Sequence, residues 1–153
     1  MLTPICFLGH YLFNFFLSHT TMKLLSILLI IMFFVACQKP FEERIVDELK
    51  QWTDTNCPKN IDAITRLDSM TYHKPTKTVQ YWYTAAGEAD NAFYWQQVEA
   101  NKLVVKQNLA QQLRVNTEIK ELVAKHLNFE YIYRSAETGR RLYALTVTSS
   151  DYE

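Results

Sequence analysis

Asp62, Arg66, Asp68 and His73 fall within one short stretch, and of all the residues in the chain their types and spacing come nearest to chemistry. Side chains along an extended strand alternate between faces, so Asp62, Arg66 and Asp68 would share one face of a strand over residues 61–72. Two carboxylates beside a guanidinium make either an acid–base site or a salt-bridged strand surface, and exposed pairs of the second kind contribute little. The rest of the inventory is thin. His73 and His126 lie far apart and neither has the spacing of a metal ligand, so no metal site is expected. Only Gly87 and Gly139 occur beyond residue 36, which leaves no Gly-rich phosphate loop. G-x-S-x-G, H-E-x-x-H and paired C-x-x-C are all missing from the sequence. The expectation is a non-enzymatic protein with no catalytic residue and no cofactor.

Aromatic side chains offer a second surface. Tyr72, Trp82, Tyr94 and Tyr143 would line a ligand face if they projected from the sheet together, although tyrosines in strands are commonly half-buried sheet residues. The candidate binding face is therefore Asp62, Arg66, Asp68, Trp82 and Tyr143. Cys57, ahead of Pro58, is either a reactive thiol or a small buried hydrophobe.

The elements that position these residues follow from periodicity. Phe41, Ile45, Leu49 and Trp52 form one stripe of a helix over residues 41–52, with Pro40 suited to its start and Glu42 and Glu43 complementing its dipole. Residues 53–58 are turn chemistry. Strands over 61–72 and 78–84 form a hairpin around residues 73–76, the second showing Val79, Tyr81 and Tyr83 at period two. A long helix is expected from Phe93 to about Arg114, and a short one from an Asn116 cap through Ile119, Leu122 and Val123 to His126. Residues 129–153 form a second hairpin, with Gly139 in its turn. The order α-ββ-α-α-ββ predicts an α+β fold: a four-stranded antiparallel sheet with helices packed on one face.

Composition is that of an ordinary globular domain. Lys and Arg number 16 and Asp and Glu also 16. Residues 1–36 hold one basic residue, Lys23, and no acid, so the remainder carries a net charge of −1. A near-neutral domain lacks the basic field that nucleic acid requires. Residues 41–153 read as one domain, without internal repeats or low-complexity segments.

Residues 22–37, MKLLSILLIIMFFVAC, supply the address. Lys23 forms a short positive region, and residues 24–36 are a strongly apolar run with no charge, Gly or Pro. That run matches the ~7–15 residues of a secretory signal and falls short of the ~20 that a spanning helix needs. It ends Phe34-Val35-Ala36-Cys37, which resembles the lipobox of bacterial lipoproteins apart from Phe34 in place of the usual Leu. The resemblance implies cleavage between Ala36 and Cys37 and acylation of Cys37. One acyl chain gives only marginal attachment, with K of roughly 10⁴ M⁻¹, whereas two or three hold firmly. The alternative is an uncleaved anchor in which Cys37 is an ordinary thiol. Residues 1–21 lack Lys and Arg and are interrupted by Pro4, Gly9, His10 and Asn14. They are read as an over-called extension ahead of a start at Met22, or else as a first membrane helix.

Residues 37–40 are then the lipidated cysteine and a very short tether. With Cys37 acylated, Cys57 has no partner for a disulfide. Gln38, rather than Asp, after the cysteine resembles the outer-membrane sorting signal of enteric lipoproteins. The implied location is the cell envelope, lipid-anchored at the outer membrane and facing the periplasm, with the bilayer as one partner and an envelope protein as another.

Residues 58–69, PKNIDAITRLDS, resemble a P-x-x-V/I-D-x-x-T-R-L-D pattern of small uncharacterised exported bacterial proteins, in which a Tyr-x-Tyr strand follows as Tyr81-Trp82-Tyr83 does here. Those proteins often carry a cysteine after the long helix and another at the C-terminus, where this chain has Asn116 or a neighbour and Tyr152. The resemblance implies a fold and no activity. Three function classes remain: a membrane-tethered interaction or assembly accessory, which small size, neutrality and lack of motifs favour; a ligand-binding or inhibitor module using the aromatic sheet face; and an enzyme built on Asp62, Arg66, Asp68 and His73.

Overall fold

The first helix, α1, spans Phe41–Asn56 and buries Ile45 and Leu49, with Phe41 and Trp52 half-buried on the same stripe. It outruns its expected end because the side chains of Thr55 and Asn56 bond back to the carbonyls of Gln51 and Trp52, satisfying its last turn. The computed structural model describes residues 39–153. The expected extension 1–21, the expected signal sequence 22–36 and the expected cleavage and acylation site at Ala36–Cys37 therefore lie outside the described residues. Phe41–Glu153 forms one compact unit, and among the described residues no helix is long and apolar enough to cross a membrane.

After α1 come β1 (Lys59–Asn60), β2 (Thr65–His73) and β3 (Thr78–Ala85). The strand expected over 61–72 thus begins only at Thr65, and a separate two-residue strand precedes it. Asp62 accepts a hydrogen bond from the Ile64 backbone N–H (2.8 Å), and this side-chain turn folds β1 back onto β2. Helices α2 (Ala92–Ala100), α3 (Lys102–Val115) and α4 (Lys120–Ala124) follow, then β4 (Asn128–Ser135), β5 (Arg141–Val147) and a terminal turn of helix, α5 (Ser149–Tyr152). The expected long helix breaks at Asn101, whose side chain bonds the Gln97 carbonyl and whose backbone leaves helical geometry. Gly139 sits at φ 68° in the β4–β5 turn, where a side chain would be strained.

The sheet has five strands in the order β1-β2-β3-β4-β5, and β3 pairs with β4 in parallel. This corrects the four-stranded antiparallel expectation. The helical segment α2–α4 carries the chain back along the whole length of β3, so β4 starts where β3 started, and a return of that kind gives a parallel pair. The remaining neighbours are antiparallel. The helices do pack on one face. Ile45, Leu49, Ala110 and Leu113 join Leu67, Met70, Val79, Phe129, Tyr131 and Val147 in the main core. A satellite cluster gathers Trp95 of α2 with Ala85 and Ala89, and the Trp95 indole donates to the Ala89 carbonyl (2.7 Å).

Candidate functional site

The open face of the sheet carries three of the residues singled out from the sequence. Arg66 donates to Asp68 (Nε to Oδ1, 2.7 Å), and the Thr84 hydroxyl donates to the other Asp68 oxygen. The Trp82 indole donates to the Thr71 hydroxyl at 2.9 Å, and the Arg134 guanidinium lies over its ring, 4.1 Å from the centroid. Gln80 donates to Glu130 across the β3–β4 pair at 2.8 Å. Both Asp68 oxygens are engaged and one face of Trp82 is covered. This is a salt-bridged strand surface, built by cross-strand pairs, rather than a pocket.

The other two candidates lie elsewhere. Asp62 is in the β1–β2 turn, closing it as described. Tyr143 is on the opposite, helix-covered face, stacked on Trp95 with centroids 5.2 Å apart. Burial, then the neighbouring Glu99 carboxylate, pushes its hydroxyl up to about 12. His73 bonds Thr76 in the β2–β3 turn, and among the described residues no group of three His, Cys, Asp or Glu is placed to hold a metal. Cys57 packs against the main core, and burial, with Asp68 adding to it, pushes its thiol up, away from the reactive thiolate.

The helix-covered face is an aromatic ladder. Tyr81 stacks on Tyr131 (5.2 Å, 8°) and Tyr83 on Tyr133 (5.0 Å, 15°), each pair opposite in the parallel register. Removal from water pushes the hydroxyls of Tyr81 and Tyr133 up to about 12, and those of Tyr83 and Tyr131 higher still. At one end the ladder is uncovered. There α1 and residues 116–122 stand apart over Tyr81 and Met70, leaving a cleft of about 280 Å³. Ile45, Leu49 and Trp52 form one wall and Ile119 and Leu122 the other. Glu48, Glu118 and Glu121 line it as well. Arg44 bridges Glu48 (3.4 Å) and Glu121, which ties the two walls together. One cation against three carboxylates leaves the cleft net negative.

Sequence reasoning found both apolar walls as separate helical stripes and missed that they face each other across Tyr81. The only local signal was the run of acids, Glu48, Glu118 and Glu121, each next to an apolar stripe.

The profile of a family described as a domain of unknown function, DUF8479, matches residues 40–143. No curated protein matches the chain in sequence. Among solved structures, a protein of Pseudomonas aeruginosa described as secreted aligns with a TM-score of 0.56 at 11% identity, over 76% of this chain and 100% of its own. That likeness is one of fold alone. Two pilotins of type II secretion systems align more loosely. The one from Vibrio vulnificus has a TM-score of 0.46 at 8% identity, covering 73% of this chain and 94% of its own. The one from Vibrio cholerae has a TM-score of 0.47 at 13% identity, covering 72% and 90%.

Proposed function

The chain belongs to the DUF8479 family, a domain of unknown function, and from that premise we propose that it is a membrane-tethered, non-catalytic accessory of the bacterial envelope that seats a segment of a partner protein in the cleft between α1 and residues 116–122. The observation that carries the reading is the cleft itself: an apolar slot floored by Tyr81 and Met70 with net negative charge along it. Its volume of about 280 Å³ lies just below the ~300–1,000 Å³ of sites that enclose a whole drug-sized ligand, and it suits one or two apolar anchors of a peptide. Its charge selects the flanks. The occupant is an amphipathic segment with apolar anchors and Lys or Arg beside them, because like charges against Glu118 would be repelled.

The signal sequence and Cys37 supply the location. Acylation at Cys37, with a tether of only residues 38–40, holds the cleft within reach of the membrane surface, so the partner is an envelope protein. The Asp68 carboxylate, engaged by Arg66 and Thr84, serves the sheet surface in this reading and not a reaction.

A photo-crosslinking residue at Ile119 in the full chain, expressed in cells, tests the proposal. The expected adduct is a protein whose crosslinked peptide is apolar with basic flanks, and Glu118→Lys lowers its yield at least several-fold. Adducts to lipid alone, or none above those from a crosslinker at exposed Lys120, would overturn it.

A further inference from the structure

The loops at the two ends of the sheet differ in charge. At one end lie residues 73–77, where β2 turns into β3, and residues 125–127, which lead from α4 into β4. They hold Lys74, Lys77, Lys125, His73 and His126, all exposed, and no acid. The two loops are joined: the Asn128 N–H donates to the Lys77 carbonyl (2.9 Å), and the Asn128 side chain donates to the Thr76 carbonyl (3.0 Å). At the opposite end, residues 61–64, 86–91 and 136–140 carry Asp62, Glu88, Asp90 and Glu137 against one cation, Arg140. Backbone geometry marks the first end as well. Lys77 and His126 hold φ of 49° and 54°, a left-handed region that Gly or Asn enters more easily. Among the described residues they are the only two non-glycines to do so, and both place a basic side chain at this end.

Acids reach this end from α1 and α5. Glu153 is bonded to His126 (2.7 Å), and Asp151 is paired with Lys106 (2.7 Å). Glu42 and Glu43 stand in the first turn of α1, where the helix dipole sets roughly half a positive charge beside them. Lys74, Lys77 and Lys125 make no ion pair among the described residues, and the Lys125 ammonium lies 5.5 Å from the centroid of the Phe41 ring. The chain also enters the domain here. Thr53 bonds Met70 while Lys59 pairs with Leu67, so α1 runs with its N-terminus towards His73. Three residues separate Cys37 from Phe41, and four extended steps span at most ~14 Å.

We propose that this end of the domain lies against the bilayer that holds the chain, with Lys74, Lys77 and Lys125 on its lipid phosphates. The inference rests on the membrane attachment proposed above. Ammonium–phosphate contacts are charge-assisted, and near an anionic headgroup surface each lysine is worth about fivefold in binding. The strands then stand end-on to the membrane, and the loops that carry Glu88 and Glu137 face away from it, where repulsion by the phosphates keeps them.

The full chain with a photo-crosslinking residue at Pro75, or at Glu137 as the control, is irradiated in cells, and the mass of the mature N-terminus is measured on the same material. The expected result is a phospholipid adduct at Pro75 at least several-fold above that at Glu137. Lys74→Glu/Lys77→Glu/Lys125→Glu lowers the Pro75 adduct at least several-fold, with an unchanged circular dichroism spectrum as evidence of folding, whereas Lys74→Arg/Lys77→Arg/Lys125→Arg keeps it. The N-terminal mass separates this inference from the anchor. An acylated Cys37 with no excess of lipid at Pro75, or with a protein adduct there in its place, would overturn the inference and leave the anchor standing. An unacylated Cys37 with the Pro75 lipid adduct intact would overturn the acyl anchor and still support the orientation.

Discussion

Arg114, near the end of α3, donates through Nε to the carbonyl of Tyr152 at 2.7 Å, and its Nη2 reaches the carbonyls of Asp151 and Glu153. One guanidinium thus caps the last turn of the chain, where α5 leaves carbonyls without helical partners. Tyr152 is held on its other side by its hydroxyl, which donates to the Leu127 carbonyl at 2.5 Å.

Arg114→Ala is therefore expected to lower stability by about 1.5–3 kcal/mol, the range for a hydrogen bond to a charged group. Urea unfolding followed by tryptophan fluorescence measures it. An effect below about 0.5 kcal/mol would mean that the terminal turn holds without the clamp.

Thr53→Val removes both bonds to Met70 while keeping the shape of the side chain. Two backbone groups at a part-buried edge lose their partners, and a loss of about 1–3 kcal/mol is expected. Hydrogen exchange at the Met70 amide should accelerate with it. Thr53→Ser, which keeps the hydroxyl, should stay near the parent.

The tyrosine ladder makes the fold sensitive to alkali. In Tyr81 and Tyr133 burial raises the hydroxyl from 10.0 to about 12. The unfolded chain releases those protons first, so it binds fewer protons than the folded state between the two values. Their contribution to stability is complete below about pH 10 and is lost as pH rises towards about 12, at up to about 1.4 kcal/mol per pH unit per tyrosine. Titration at 295 nm should show the buried tyrosines ionising together with unfolding. A smooth, non-cooperative titration near 10 would contradict their burial.

For the proposed anchor, Cys37→Ala expressed from Met22 should abolish acylation. The mature N-terminus of the parent, extracted from membranes, should have the mass of a lipidated Cys37, and the variant should not. An intact, unacylated N-terminus in the parent would restore residues 22–36 as an uncleaved anchor.

Local pattern made much of this fold legible. The stripe of Phe41, Ile45, Leu49 and Trp52 faces the core as its period implies, and so does the alternation of Val79, Tyr81 and Tyr83. Face assignment failed where it depended on how strands pair. A period of two says that Trp82 and Tyr143 each belong to one of two faces, but not whether it is the same one. Pairing sets Tyr143 opposite Tyr133, on the helix side, while Trp82 lies opposite Ile132, on the other. Asp62 was misread because the turn it forms looks, in sequence, like the start of a strand. The parallel β3–β4 pair was invisible for a different reason: it is set by where α2–α4 deliver the chain, and no residue in either strand encodes that.

That central pair also fixes the order in which the protein can assemble. β2 and β3 are joined by a turn and β4 and β5 by another, so each hairpin closes across a few residues and can form within microseconds. Gln80 and Glu130, 50 positions apart in sequence, meet only after the segment between them has been gathered in, helices included. Two quick halves and one slow join make this a chain whose folding rate is governed by contact order at its centre, and during synthesis β3 must wait with a bare edge until β4 has emerged.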